Sequence, residues 1–327
     1  MPTKHLFIIN PGSGNADRAA ERVEAIRGCM APRGCDYQIV FTAHGGHAAE
    51  LAAAHVADGA DWRVYACGGD GTLNEVAGAA AGLSHVAVTH YPLGSGNDFI
   101  KIFGPGAARF DDLPALLDGR AVSFDLIDVN GRCALNIASV GFDARVAAEM
   151  SRFRRLGHIP AKRAYDLSVV YNLFRGIHRP YEVYIDGVRQ PGHRFTLLVA
   201  ANGRYYGGGY NPLPEAQPDD GQLDFLTAKS ISVFTLARLI GKFAKGRHRD
   251  MPQVFTYARG RRMEIRCGRP EAVNLDGEIL TAERVVFSLS PLKLRFLVPD
   301  GVSWCGDSFL CFEENRRKDE LSGQIEN

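Results

Sequence analysis

The sequence lacks any paired-cysteine signature. Its seven cysteines (Cys29, Cys35, Cys67, Cys133, Cys267, Cys305 and Cys311) are scattered, odd in number and never spaced Cys-x-x-Cys. This excludes a disulfide framework, argues against a zinc ribbon and fits a reducing compartment. No stretch approaches 18 uninterrupted apolar residues, so no membrane-spanning helix is expected. The N-terminus runs straight into a strand-like segment without the apolar stretch of a signal peptide, so a cytoplasmic protein is expected. Charge of one sign is not in excess either: 38 Lys+Arg face 37 Asp+Glu, a net of +1. A nucleic-acid partner is therefore not expected. Lysine is nearly missing from residues 1–125, where only Lys4 and Lys101 occur, and no Gly-x-x-x-x-Gly-Lys-Ser/Thr phosphate loop is present.

What is present is an ordinary globular composition over 327 residues, 46% hydrophobic and 23% charged, long enough for two domains. Charge divides unevenly along the chain. Residues 1–125 carry 9 basic and 14 acidic side chains, and residues 126–327 carry 29 and 23. A boundary near 125 explains the asymmetry.

The first part alternates strand and helix. Buried strands are expected over 5–10, 37–42, 63–67 and 86–91, with helices over 16–30, 47–58 and 73–81. That alternation predicts an α/β domain built on a doubly wound parallel sheet. After 125 the pattern becomes β-rich and antiparallel, sandwich-like. It includes an Asn130-Gly131 hairpin and a second hairpin pairing 181–185 with 195–201 through Asp186-Gly187. Helical patterns interrupt at 144–152, 164–174 and 233–243. The expected organisation is a nucleotide-binding domain over 1–125, a lipid-substrate domain over 126–290, a segment 291–312 packing back on the first domain, and a polar tail over 313–327.

Three turns, 10–14, 68–74 and 93–98, share one design. Each follows a predicted parallel strand, and each mixes glycine with a hydroxyl residue. At the carboxyl edge of an open α/β sheet such turns face a ligand crevice. Glycine lets backbone N–H groups approach a phosphate, and the following helix N-terminus adds positive potential. Ser13, Thr72, Ser95 and Asn97 can add neutral hydrogen bonds. Asp70 stands where an anion beside phosphates would be repelled unless a divalent cation or a proton intervened. It therefore points to Mg²⁺ near the phosphates, to a general base, or to both.

Asn10-Pro11-Gly12-Ser13-Gly14, the run from Gly68 to Glu75, and the run from Pro92 to Phe99 resemble the three nucleotide-binding motifs of the diacylglycerol kinase catalytic-domain family. That family includes sphingosine and ceramide kinases and soluble bacterial lipid kinases. The likeness continues through Asn136 to Ala144, Asn202-Gly203, Gly207-Gly208-Gly209, Ala216 to Asp224 and Asp276-Gly277-Glu278, covering roughly residues 5–300. The Gly-Gly-Asp-Gly run alone is shared with NAD kinases and 6-phosphofructokinases. Ser95 departs from the more usual threonine and keeps the hydroxyl.

The resemblance implies ATP-dependent phosphorylation of a lipid hydroxyl. ATP contacts carry over to Asn10, Pro11, Gly12, Ser13, Gly14, Thr42, Gly68, Gly69, Asp70, Gly71, Thr72, Leu73, Asn74, Ser95, Asn97 and Asp98. A structural Mg²⁺ carries over to Gln217, Asp220 and Gln222, although Asp219-Asp220-Gly221 is also an ordinary turn. Glu278 is implied as proton acceptor, with Asp70 next in rank, and Asp276 near the phosphates; Asp-Gly is equally an ordinary hairpin turn. A kinase of a soluble metabolite such as NAD, and a nucleotide sensor without turnover, are the alternatives. Diacylglycerol, a sphingoid base and phosphatidylglycerol all remain open as acceptors, and a homodimer stays open.

Reaching a lipid implies a transient contact with an anionic membrane, peripheral at the inner surface. Arg152, Arg154, Arg155, Lys162, Arg163, Arg175 and Arg179, interleaved with Phe153, Leu156, Ile159, Tyr171, Leu173, Phe174 and Ile177, are one candidate. Arg238, Lys242, Lys245, Arg247 and Arg249 beside Leu236, Leu239, Ile240 and Phe243 are another.

Overall fold

The computed structural model describes residues 3–14, 16–156, 161–249 and 251–304. The tail over 313–327 lies outside the described residues. The first sheet is built from β1 (Lys4–Ile9), β2 (Tyr37–Phe41), β3 (Trp62–Cys67), β4 (Val86–His90) and β5 (Arg120–Phe124). Between them run α1 (Ala16–Met30), α2 (His47–Val56), α3 (Asp70–Ala80), a 3-10 segment Phe99–Asp111 and α4 (Leu113–Leu117). In β1 the run Leu6 to Ile9 is buried without interruption, the mark of a strand covered on both faces.

The second sheet contains β6 (Ile127–Val129), β7 (Arg132–Ala134), β8 (Ile137–Gly141), β9 (Arg179–Pro180), β10 (Glu182–Ile185), β11 (Val188–Arg189), β12 (Arg194–Ala201), β13 (Leu223–Lys229), β14 (Phe255–Gly260), β15 (Arg262–Leu275) and β16 (Glu278–Leu289). Its helices are α5 (Phe142–Leu156), α6 (Ala161–Phe174) and α7 (Val233–Ala244). The last strand, β17 (Leu294–Val298), returns to the first sheet.

The first sheet has the order β2-β1-β3-β4-β17-β5. Its first four strands are parallel, and β17 runs parallel to β4 and antiparallel to β5. The chain reverses direction across the sheet between β1 and β3, which sets the ligand crevice at their carboxyl ends. Phe99, Phe103, Phe110, Phe124, Phe296 and Trp304 pack ring on ring and bind the returning strand to this domain. The second sheet is antiparallel, and β15 pairs β10 with its first half and β8 with its second.

Three expectations need correction. The helix after β3 begins at Asp70, not Leu73, because Gly69 serves as its N-cap and Asp70 occupies a first turn that favours anions. The strand leading into the Asn130-Gly131 turn, expected from Phe124 to Val129, begins at Ile127, and Phe124 instead ends β5, a mostly exposed strand with weak alternation. The Asp186-Gly187 turn joins β10 to the two-residue β11, whereas 195–201 lies in β12, which pairs β8 and β13. The Asn130-Gly131 hairpin does form, with both residues at positive φ as a two-residue turn requires.

Candidate functional site

The three glycine-bearing turns meet at the carboxyl edge of β1 and β3. Asn10 organises the first: its Oδ1 accepts from Gly12 N–H at 3.0 Å, its Nδ2 donates to Thr72 Oγ1 at 3.0 Å, and its own N–H donates to Cys67 O at 2.8 Å. Thus the end of β1, the end of β3 and the first turn of α3 are tied through one residue, its backbone to β3 and its side chain to α3. Thr42 extends the edge, its N–H donating to Ile9 O at 2.9 Å. The second and third turns touch backbone to backbone. Leu93 N–H and Gly94 N–H both donate to Gly68 O, at 2.8 and 3.1 Å. A Cβ on Gly94 would stand 2.7 Å from Gly69 Cα, and one on Gly14 would stand 2.9 Å from Leu93 O. Close approach alone requires glycine at 94; at 14 the approach is joined by a φ of 96°, which favours glycine as well. Ser13 Oγ lies near Gly69, Ser95 is exposed, Pro11 and Gly12 are exposed, and Asn97 holds its turn by donating to Gly94 O at 2.8 Å.

Three carboxylates gather beside these turns. Asp70 accepts from Phe99 N–H at 3.2 Å; burial, then the neighbouring Asp98 charge, pushes its carboxyl upward. Asp98 is buried, accepts from Lys101 Nζ at 2.5 Å and from Gly208 N–H at 2.7 Å, and so joins the first domain to the Gly207-Gly208-Gly209 turn of the second. Asp276 sits at φ 48° in the β15–β16 turn. Its carboxylate accepts from Leu135, Asn136 and Ile137 N–H at 2.9, 2.8 and 2.7 Å. Burial pushes it up to about 7, with the Asp70 charge adding to the rise and the three N–H groups opposing it. Asp276 is thus occupied in holding the start of β8, and Asn74 assists by accepting from Leu135 N–H at 3.0 Å.

Glu278 opens β16 and accepts from Arg132 Nη2 at 2.7 Å, both side chains being substantially exposed. Two of the sequence-selected residues turn inward. Leu73 is 1% exposed in the hydrophobic core, and Thr72 spends its hydroxyl on Asn10. Gly71 has open space around it.

The 217–222 loop is a different matter. Asp220 Oδ1 accepts from Gln222 N–H at 3.0 Å, and its Oδ2 is taken by the Arg259 guanidinium. Asp125 accepts from Gly221 N–H at 2.8 Å, and Trp304 Nε1 donates to Asp219 Oδ2 at 2.6 Å. A Mg²⁺ ion needs free oxygen ligands in near-octahedral array. Asp220 thus meets an N–H on one oxygen and a guanidinium on the other, so a Mg²⁺ ion held by its carboxylate with the backbone carbonyls of Gln217 and Gln222 would have to take the place of Arg259.

Several site residues escaped the sequence reading. Lys101 had a signal, as one of only two lysines in residues 1–125. Glu75, the last residue of the second motif, was given no role; it caps α2 by accepting from Gly46 and Ala48 N–H at 2.9 and 3.0 Å. His90 had no signal; it is a buried ring whose Nε2 donates to Gly68 O at 3.0 Å beneath the second turn.

With the geometry in view, the matches fall into place. The diacylglycerol kinase catalytic domain model matches residues 4–129, and the YegS C-terminal NAD kinase beta sandwich-like domain model matches 136–298. A Pseudomonas aeruginosa protein named probable lipid kinase YegS-like is 36% identical over 245 residues, 73% of this chain and 77% of its own. The chain belongs to the diacylglycerol kinase catalytic-domain family. Within this family, a Mycobacterium tuberculosis protein named diacylglycerol kinase is 30% identical over 311 residues, 90% of this chain and 95% of its own. A diacylglycerol kinase crystal structure from Bacillus anthracis shares the fold, with a TM-score of 0.66 and 21% identity across 92% of this chain and 98% of its own. The family's kinase character rests on the same half of the chain that builds the glycine crevice.

Proposed function

We propose that this protein is an ATP-dependent lipid kinase, taking MgATP as donor and a lipid hydroxyl as acceptor. The observation that carries the reading is the backbone contact between Gly69 and Gly94 at the β1–β3 crevice beside Asp70. Nothing bulkier than glycine permits that approach, and a polyphosphate is the ligand that backbone N–H groups and a helix N-terminus select. Asp70, Asp98 and Asp276 outnumber Lys101 there, so a free polyphosphate would be repelled; the donor therefore enters with its own divalent cation.

In this reading the residue 10–14, 68–71 and 93–98 turns hold the donor phosphates, and Asp98 and Asp276 fix the second domain against them. Glu278 accepts the proton of the lipid hydroxyl, oriented by Arg132. Asp70, with its raised affinity for a proton, is the nearest substitute. Diacylglycerol, by the relatives' names, is the first acceptor to try. NAD belongs in the same panel, because the second domain matches a model described as NAD kinase-like.

Access to a lipid would come from apolar side chains left in solvent. Phe174 at the end of α6 and Phe234 at the start of α7 are 88% and 87% exposed, with Leu167 and Val170 beside the first and Val233 beside the second. Arg152, Arg163, Arg175, Arg238, Lys242, Lys245, Arg247 and Arg249 are exposed in the same helices and their flanks. Ile177 and Leu239 are buried and leave the proposed surface; Arg179 is 13% exposed and turned inward. Ile159 and the side chains of Arg154, Arg155, Leu156, Lys162 and Ile240 lie outside the described residues. Among the described residues no helix is long and apolar enough to cross a membrane.

The test is transfer of labelled phosphate from MgATP to diacylglycerol, a sphingoid base, phosphatidylglycerol or NAD. The expected outcome is a labelled lipid product with wild type and none with Asp70→Asn of unchanged melting temperature. Labelling of NAD alone, or near-wild-type turnover by Asp70→Asn, would sink the reading.

A further inference from the structure

A second charged site lies far from the glycine crevice. A cavity of about 420 Å³ is lined by His178, Arg179, Pro180, Arg194, Cys267, Gly268 and Arg269. It opens where β9 meets the first residue of β12 and where β15 breaks register between Arg266 and Glu271. The other end of β12, Ala201, leads to Asn202, whose Nδ2 donates to Asp125 O and Leu135 O next to the crevice. At about 3.3 Å per residue, β12 separates the two sites by roughly 23 Å.

The cavity is over-supplied with positive charge. Arg145, Arg179 and Arg269 all converge on one carboxylate, buried Glu271, at 3.8, 3.8 and 3.0 Å. Arg194 adds a fourth guanidinium with no ion pair among the described residues. Of these, Arg179, Arg194 and Arg269 line the cavity, and no carboxylate is among its lining residues. Arg179 Nε and Arg145 Nε and Nη1 are buried without an acceptor, as is the Tyr181 hydroxyl. Buried donors without hydrogen-bond partners are uncommon. Burial, then the Arg145 and Arg269 charges, pull the Arg179 guanidinium below its ordinary value, with Glu271 opposing.

We propose that this cavity binds a phosphate-bearing anion, free in solution or carried as the headgroup of a phospholipid. Arginine forks match phosphate oxygens in pairs, and the register break in β15 supplies the room. The position fits either source, since Arg179 follows exposed Phe174 by five residues. This site is separate from the crevice, and its test does not depend on turnover.

The experiment uses the full chain and the exposed pair Arg194→Gln/Arg269→Gln, which leaves the Arg145–Glu271–Arg179 contacts intact. Inorganic phosphate is titrated calorimetrically into wild type and variant. Vesicles of phosphatidylcholine with and without phosphatidate are then sedimented with each protein. The expected result is a saturable phosphate component in wild type that weakens at least tenfold in the variant. If phosphatidate-dependent sedimentation falls tenfold as well, the headgroup is the source; if only phosphate binding falls, the source is soluble. Unchanged binding of both probes would overturn the proposal. Tungstate in a wild-type crystal gives a check independent of any variant: density beside Arg179 and Arg269 is expected, and an empty cavity with tungstate bound elsewhere would overturn it.

Discussion

Replacing Gly94 with alanine tests the central geometric claim. The added Cβ meets Gly69 Cα at 2.7 Å, and Gly69 N and Asn97 Oδ1 at 3.4 and 3.1 Å. The nearest atom is backbone, so no side chain can swing away. To restore ordinary contact the two turns must part by about 0.7 Å, the usual consequence of overpacking. Parting them stretches the bonds from Leu93 and Gly94 N–H to Gly68 O, now 2.8 and 3.1 Å, beyond useful length. Two bonds at about 1 kcal/mol each, with an overpacking cost of about 1–3 kcal/mol, predict a loss of about 3–5 kcal/mol. At roughly 2–4 °C per kcal/mol, the first domain should melt roughly 6–20 °C lower. Gly71→Ala is the internal comparison. Gly71 lies in the first turn of α3 with open space at its Cβ position, so alanine should leave stability unchanged or raise it by up to about 1 kcal/mol. Urea and thermal melts of both variants read the difference directly. Equal melting of Gly94→Ala and wild type, or an equal loss from Gly71→Ala, would refute the reasoning.

His90 is pulled by burial to about 4, below the ordinary 6.5. The unfolded chain therefore binds a proton between pH 6.5 and 4 that the native chain does not, and stability falls as pH falls through that window. At about 1.4 kcal/mol per pH unit the loss approaches roughly 3 kcal/mol; His90→Gln keeps a donor for Gly68 O, and urea melts at pH 7 and 4.5 should show a shallower decline, identical slopes being the contrary result. Glu278→Gln should lower turnover by about 10²–10⁴-fold with little change in ATP affinity, because a base acts on the acceptor hydroxyl. Its stability should change by under about 1 kcal/mol, since the Arg132 pair is exposed; a variant that lost ATP binding but kept its maximal rate would refute the assignment. Asp98→Ala strips the buried acceptor from Gly208 N–H and leaves Lys101 without its partner, at a cost of about 3–5 kcal/mol, and melting within 1 kcal/mol of wild type would show that the inter-domain bond is dispensable.

Local signals were legible in the sequence. The apolar run Leu6 to Ile9 and the alternation of strands with helices announced a parallel sheet, because strand and helix periodicities are properties of neighbouring residues. The three glycine turns announced a phosphate-type crevice, because glycine beside a strand end means close backbone approach. The same reasoning misjudged where α3 begins, since a glycine N-cap followed by Asp70 reads as loop when its helix bonds are unseen.

The tertiary structure decided which distant groups meet. Asp98 finds Gly208 across 110 positions, Asp276 finds the start of β8 across about 140, and Asp220 finds Arg259 across 39. No period or spacing encodes such encounters, so the guanidinium that Asp220 meets could not be read from its turn. Arg179 looked like a surface charge, because a basic residue near an amphipathic helix usually is one. Only the turn into β9 and the register break in β15 carry it inside, beside Glu271 and the other arginines. Side-chain chemistry is written residue by residue, but the company each charge keeps depends on chain crossings hundreds of bonds away.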